Sequence, residues 1–547
     1  MRFRLHVIVL ALCLWGVAAG TAQTAQKLVP AGHWVLDAVN DIFLESGRSA
    51  FIYTAPLSVA ELKLYMEDVD RDALSPHGHR QYERVLDWCD EHGLSFTSRA
   101  VTEGVGITVT PELYYRSNPE IDWSFLYHFR DNFFSFPLYF SVADYAYFDA
   151  DFFLGRNYWS IHRASNNWHN APINFDKTIA EAFEFDWPQV AYASFGVPIK
   201  GAATFNVQVG RGGRSVGRTQ TGSIIQSERF ENNGYARLSF FSPKIKYTLD
   251  VMQTGVNKYL YTHEFNFNFF RKVQVRILEG AYINAPFELR FLNPLMIMHS
   301  FSYWTDYNLT VNDCCAYVGI SLDYVPVSNL RLYVLYAQNE IRALTELEHV
   351  TEPNSFGFQV GGEFLVPFAR GAFHGGIEGV YTLPWLYIKH TPDSSLYSSR
   401  GLVIPADCPN VNQWIGTPFG PDSIAAAVKF GYEMPGRWSA YLSYVWSAQG
   451  ENAFIDTIFY ESDRRTKRTD PYYPTEVTNG KEEANRMTPS GTPQYTNRVK
   501  LEGDYRFTPH FTLAAYISYA VAVNAGNRAG NTQHGVEMAL SGSYRFF

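Results

Sequence analysis

Three arginines set among glycines carry the densest chemistry in this chain of 547 residues. Gly210, Gly212, Gly213 and Gly217 alternate with Arg211, Arg214 and Arg218, and a polar run through Thr221 and Ser227 ends at Glu228. Glycine lets backbone approach backbone or ligand closely. Guanidinium groups offer planar, paired hydrogen bonds to carboxylates or phosphates. A phosphate loop is excluded, because no Gly-Lys-Ser/Thr ending and no helix signal follow. Ile224 and Ile225 read instead as the entry to a strand. Two readings stay open: recognition of an anionic ligand, or ion pairs with acidic groups that brace an interior.

A second cluster runs from Glu279 to Leu295. It starts as a strand and ends in a turn stopped by Pro294. Glu288, Arg290 and Asn293 are its polar groups, set among large apolar ones. His299 and Ser300 are adjacent, so their side chains diverge on a strand, and no acidic partner completes a hydrolase triad. The chain therefore reads as non-catalytic. Cys89, Cys314, Cys315 and Cys408 have no metal-ligand spacing, and neither a metal nor another cofactor is expected. A bridge between vicinal Cys314 and Cys315 would be strained. One of them paired with Cys408 is one expectation; free thiols, or pairing with another chain, are the other.

These groups must be positioned by strands. Trp438, Ala440, Leu442, Tyr444 and Trp446 alternate with Ser439, Ser443 and Ser447. Phe511, Leu513, Ala515, Ile517 and Tyr519 repeat the pattern. So do Ile245, Tyr247, Leu249 and Val251, and again Val536, Met538, Leu540, Tyr544 and Phe546. Successive side chains on a strand point to opposite faces, so each segment has one apolar and one polar face. Connections alternate in length toward the C-terminus. Short turns at 324–329, 366–371, 434–437 and 507–510 are separated by longer stretches near 309–315 and at 339–355, 385–423, 448–496 and 521–535. Short turns on one rim and long loops on the other mark a transmembrane antiparallel β-barrel of the outer membrane, here of roughly 16 to 20 strands. Both chain ends then lie in the periplasm.

Composition agrees. Aromatic residues make up 16%, with 36 Tyr, 41 Phe and 12 Trp, as barrels with interfacial aromatic girdles require. Mean hydropathy is only −0.18, as expected when every second residue is polar. A net charge of −9 argues against nucleic acid as a partner. Residues 1–22 read as a signal peptide, with Arg2 and Arg4 before the apolar Val7–Val17 run and small residues at 18–22. Residues 27–100 read as a small periplasmic helical module. Helices are expected over 33–46, after the capping box Ser58 to Glu61, and from Ser75-Pro76 to Gly93. Residues 101–547 form the barrel. The stretch 150–190 suits either a lumen constriction or a long outer loop.

The chain resembles the capsule assembly Wzi family of outer-membrane proteins. The likeness rests on the Gly210–Ser227 stretch, on Phe287 to Pro294 (Phe-Glu-Leu-Arg-Phe-Leu-Asn-Pro), and on Pro30 to Trp34 with the helices that follow. Val216 departs from it, since the family usually carries Trp there. The resemblance implies a monomeric, plugged, non-conducting barrel of about eighteen strands. It implies a lectin-like role, holding acidic capsular or related polysaccharide at the cell surface without covalent chemistry. On that reading the arginines suit uronic-acid carboxylates, and exposed rings of Trp385, Tyr387, Trp414, Tyr472 and Tyr473 suit sugar faces. The expected partners are outer-membrane lipid, the barrel assembly machinery and surface polysaccharide. A diffusion porin or substrate-specific channel is the second reading, because strand alternation fits it equally well.

Overall fold

The computed structural model describes residues 24–547, apart from residues 92, 99, 119–120, 122–131, 155–189, 198–203, 231, 299–308, 311–312, 341–351, 401–410 and 461–485. The signal peptide at 1–22 and most of the 150–190 stretch therefore lie outside the described residues.

Eighteen antiparallel strands close into a barrel. The first, β1, runs over 101–116 in three pieces, Val101–Val105, Thr108–Val109 and Glu112–Arg116. Then follow β2 (Phe134–Val142), β3 (Ala146–Leu154), β4 (Ala191–Gly196), β5 (Thr204–Gly212), β6 (Asn233–Phe241), β7 (Ile245–Gly255), β8 (Lys258–Phe269) and β9 (Val273–Asn284). The wall continues with β10 (Cys314–Tyr324), β11 (Leu330–Glu340), β12 (Ser355–Phe368), β13 (Gly371–Thr382), β14 (Ser423–Met434), β15 (Trp438–Gln449), β16 (Gln494–Thr508), β17 (Phe511–Val523) and β18 (Thr532–Arg545). Closure is by β18 on β1, with Leu540 opposite Leu113 and Met538 opposite Tyr115. A short strand, Leu94–Ser98, folds back on β1. The β-region thus begins a few residues before the expected boundary at 101.

The apolar row of each strand faces outward. Val360, Ile377, Leu442 and Leu501 are each more than half exposed. The opposite face carries charge: Lys246, Asp250, Glu264, Arg276, Asp323 and Arg331 are all buried. A soluble sheet would place these rows the other way round. The arrangement is stable only with hydrocarbon outside, where a closed ladder leaves no open sheet edge. The protein is an outer-membrane β-barrel.

The helical module is built as the sequence predicts, but it is not a domain beside the barrel. Helices α1 (Trp34–Glu45), α2 (Val59–Met66) and α3 (Pro76–Asp90) occupy the lumen at the short-turn end. Asn329 donates its amide to the Leu44 carbonyl at 2.7 Å, and Ser49 donates to the Arg271 carbonyl at 2.7 Å. Ser75 caps α3 through the His77 and Gly78 amides. Ser58 caps α2 through the Glu61 amide at 3.2 Å. The reciprocal half of the predicted capping box is absent from the described hydrogen bonds. The Glu61 carboxylate instead meets Lys246 of the wall at 2.5 Å and the Tyr65 hydroxyl at 2.9 Å. A buried charge gains more from an opposite charge than from one backbone N–H.

His33 caps α1, its Nδ1 accepting from the Val35 amide at 3.4 Å. Burial and then the nearby Lys27 ammonium push its pKa down from 6.5 to about 4. The unfolded chain therefore takes up this proton first. Stability from His33 is complete above pH 6.5 and is lost as pH falls from 6.5 toward about 4. Unfolding of the module, followed by Trp34 and Trp88 fluorescence, should shift to lower temperature across that window. His33→Asn, which keeps a capping acceptor, should flatten the dependence.

Candidate functional site

The glycine–arginine stretch does not enter a strand at Ile224. After β5 the chain leaves the wall, and residues 213–230 turn into the lumen before β6 begins. There they meet the helical module. Ser215 and Val216 pair with Ala55 and Thr54 as a two-stranded ribbon, and the Gly217 amide donates to the Tyr53 carbonyl at 2.7 Å. One segment descends from the long-loop end and one rises from the short-turn end, and backbone hydrogen bonds join them inside the barrel.

The glycines serve this path. Gly217 and Gly222 have φ of +91° and +111°, which L side chains rarely adopt. A Cβ on Gly217 would also lie 2.6 Å from the Leu335 side chain. The wall then satisfies the segment's backbone. Glu378 accepts from the Gln220 amide at 2.8 Å, the Thr221 amide at 3.1 Å and the Tyr333 hydroxyl at 2.7 Å. Gln359 accepts from the Ile224 amide at 2.8 Å and donates to the Gly222 carbonyl at 3.1 Å. The Tyr317 and Tyr387 hydroxyls donate to the Ile224 carbonyl at 3.2 and 2.5 Å.

The three arginines do not converge. Arg214 is buried against Asp250, which also accepts from Arg237 Nε at 2.8 Å. Arg218 pairs with Asp37 of α1 and lies 3.7 Å from Glu363. Burial opposes its charge, but Asp37 and Glu363 hold its pKa above the ordinary arginine value. Arg211, on the outward face of β5, donates to the Asn232 carbonyl at 3.2 Å. For Arg214 and Arg218 the bracing reading is the one the geometry supports. Glu228 is half-buried in the lumen; burial raises its carboxyl pKa, against the pull of Arg229 and Arg218.

Toward the long-loop end, described parts of the connections after β13 and β15 pack on the inserted segment. Trp385, Tyr387 and Trp414 are 2%, 0% and 6% exposed and pack with Ile224, Ile225, Phe459 and Tyr460 in one apolar cluster. Trp414 Nε1 donates to the Ala453 carbonyl at 2.9 Å. The expectation that Trp385, Tyr387 and Trp414 present sugar-stacking faces is therefore corrected. Packing in this cluster buries more ring surface than a solvent-facing platform would. Tyr472 and Tyr473 lie outside the described residues.

Glu288, Arg290 and Asn293 sit elsewhere, on the outer wall of the barrel. The short helix Leu289–Leu292 and the residues after it fold down over β7 to β10. Tyr261 and Ala281 face outward, yet both are fully covered, with Phe291, Met296 and Met298 packed on this patch. Glu288 and Arg290 pair with each other at 3.0 Å, and Asn293 is exposed. The outer side of this apron shows Phe287, Leu289, Leu295 and Ile297, with Leu295 90% exposed. It continues the lipid-facing surface. Leu295→Cys carrying a fluorescent label should be quenched by brominated lipid. Quenching by aqueous iodide alone would contradict the placement.

Cys314 and Cys315 are free and buried on opposite faces of β10, Cys314 under the apron and Cys315 in the lumen. Their expected partner, Cys408, lies outside the described residues. Cys89 is also free and buried.

Beside the module the lumen keeps a cavity of about 1680 Å³. Its walls carry both signs of charge, including Asp37, Asp87, Asp504, Lys429, Lys500 and Arg506, and it reaches the short-turn rim at Arg437, Pro509 and Arg545. The interlock of 213–230 with 24–91 was not legible as such in the sequence. Its signal was the run of charged residues on the polar face of successive strands: Lys246 and Asp250, Glu264, Arg276, Asp323, Arg331, Glu363 and Glu378. Charge at that density needs partners, and the barrel wall alone does not supply them.

No family model and no curated protein matches the chain. Among solved structures it is similar to Wzi of Escherichia coli, described as an outer-membrane protein involved in group 1 capsule assembly and a carbohydrate-binding β-barrel. The identity is 10%, the TM-score 0.56, and the match covers 94% of this chain and 98% of that one. It is more distantly similar to OprD of Pseudomonas aeruginosa, at 9% identity and a TM-score of 0.38, covering 81% and 94%. The channel DcaP of Acinetobacter baumannii matches at 10% identity and a TM-score of 0.35, covering 83% and 100%. The Wzi likeness establishes a shared fold; the channel likenesses are too loose to bear on the lumen.

Proposed function

We propose that this protein is a plugged, Wzi-like surface barrel that holds acidic polysaccharide at the outer face of the membrane without covalent chemistry. The observation that carries the reading is the interlock inside the barrel between residues 213–230 and the helical module. A wall so heavily paired to its contents suits a scaffold for surface binding better than a diffusion path. The polysaccharide itself would be met by the outer loops. The connection from β15 to β16 carries Arg464, Arg465, Lys467 and Arg468 just before Tyr472 and Tyr473, and clustered basic groups beside rings suit uronic-acid chains.

The test is binding of a polyuronate to the purified barrel, against a neutral glucan. Charge-dependent binding should weaken as salt is raised and should fall when Arg464, Arg465, Lys467 and Arg468 are all changed to Gln. Equal binding of charged and neutral polymers, or no binding of either, would overturn the proposal. A substrate-specific channel is the second reading. The charged cavity open at the short-turn rim favours it, and it requires the plug to move.

A further inference from the structure

We propose that Asp41, His77 and His374 form a binding site for a divalent transition-metal ion, of the zinc class, that staples the lumen plug to the barrel wall. Among the described residues they are the one group of three metal-ligating side chains that come together. They arrive from three elements: Asp41 from α1, His77 from the first turn of α3, and His374 from the lumen face of β13.

One ligand atom from each lies within 4.8 Å of the other two. His77 Nε2 is 3.2 Å from Asp41 Oδ2, and His374 Nδ1 is 3.7 Å from Asp41 Oδ1. A tetrahedral zinc ion with bonds of about 2.0–2.1 Å sets its ligand atoms about 3.4 Å apart. The two contacts run to different oxygens of the one carboxylate and bracket that spacing, and a turn of the Asp41 carboxylate within the 4.8 Å cluster brings one oxygen to both imidazoles. The imidazole planes cross at 66° with centroids 5.7 Å apart, so the rings do not block the point between them.

The surroundings favour an ion over a plain hydrogen-bonded triad. His77 is fully buried, and its Nε2 and the Nδ1 of His374 are the ring nitrogens that face Asp41. One carboxylate therefore serves two imidazoles and the Gln81 amide, 3.4 Å away. A cation at the shared point would use the carboxylate and both imidazoles at once. Two nitrogens and one carboxylate oxygen match borderline divalent metals and not calcium or magnesium. Asp41 and His374 line the cavity that reaches the short-turn rim, so an ion has a path in, and a fourth position can be filled from the cavity.

The test uses tag-free, full-length mature protein in detergent, titrated with Zn²⁺ alone. One ion per chain should bind and should raise the unfolding temperature of the module. Co²⁺ in its place should give the d–d absorption of a low-coordinate nitrogen–oxygen site. His374→Ala should weaken binding about a hundredfold or more, beyond the 10–100-fold typical of removing a supporting partner. His374 lies on the wall and is not needed for the module's own core, so heat-resistant barrel folding should persist in that variant. His510→Ala, at an exposed turn, should change nothing. No bound zinc, or binding that His374→Ala leaves intact, would overturn the proposal and leave an ordinary buried Asp–His pair.

Discussion

Arg331→Met should loosen the lumen plug by about 3–5 kcal/mol while the barrel wall stays folded. Arg331 is fully buried and touches every layer of the interior. Its Nε donates to Asp323 at 3.0 Å, and Nη1 donates to Glu363 at 3.0 Å. Nη2 donates to the Arg218 carbonyl of the inserted segment at 3.0 Å. Its guanidinium lies 4.1 Å from the Tyr53 ring of the helical module and 4.6 Å from the Tyr333 ring of the wall. Methionine fills much of the volume but takes the nearest cation from both carboxylates, leaving Asp323 only Arg276 at 3.9 Å and Glu363 only Arg218 at 3.7 Å among the described ion pairs. An uncompensated buried charge is the costly outcome, more than the loss of the pair itself. Hydrogen exchange of residues 24–91 should accelerate by roughly a hundredfold or more, since each 1.4 kcal/mol is tenfold. Heat-modifiable migration of the barrel should be retained, because the strand ladder is untouched. Unchanged exchange would mean that Arg331 does not couple the plug to the wall.

Lys246→Met is the second large effect. Lys246 on β7 is 1% exposed at its side chain and meets Glu61 of α2, itself 2% exposed, at 2.5 Å. The single substitution strands the Glu61 carboxylate with the Tyr65 hydroxyl as its remaining described partner. The expected cost is again about 3–5 kcal/mol. The double variant Lys246→Met with Glu61→Gln removes both charges and should recover most of that loss, since a neutral amide still accepts from Tyr65. The check is a double-mutant cycle on module unfolding in denaturant. Additive losses in the two single variants and the double would show that the pair is not coupled.

The wall was the legible part of the fold. Each strand needs only a period of two and a turn, and the rows of Ile245 to Val251, Trp438 to Trp446 and Phe511 to Tyr519 carry that period without interruption. Their outward faces are where the alternation placed them. The three helices were legible from spacing and end signals: the periodic run His33 to Ser46 stopped by Gly47, the Ser58 capping box with Leu62, Tyr65 and Met66 behind it, and Ser75-Pro76 with Tyr82, Val85 and Cys89. Their location was not, because a cap reports where a helix starts and not what covers it. Ile224 and Ile225 show the same limit. Two β-branched residues after a turn read as strand, but Tyr317, Tyr387 and Gln359, distant in sequence, provide the hydrogen bonds that hold them as an irregular insert. Trp385 and Trp414 misled for a related reason, since an aromatic ring in a polar loop reads as exposed unless the loop's own core is known. The candidate arginines were visible as residues, but their partners Asp37, Asp250 and Glu363 come from three separate elements. Replacing Arg211, Arg214 and Arg218 together would therefore disturb the plug as well as any ligand contact.

Single-channel recording in a planar bilayer asks the decisive question of the native protein. With the interlocked segments in place, insertion of the barrel should produce no large, steady ionic conductance. Stable porin-sized steps from the unmodified protein would mean that the lumen is a pathway, and the account of a plugged surface scaffold would be wrong.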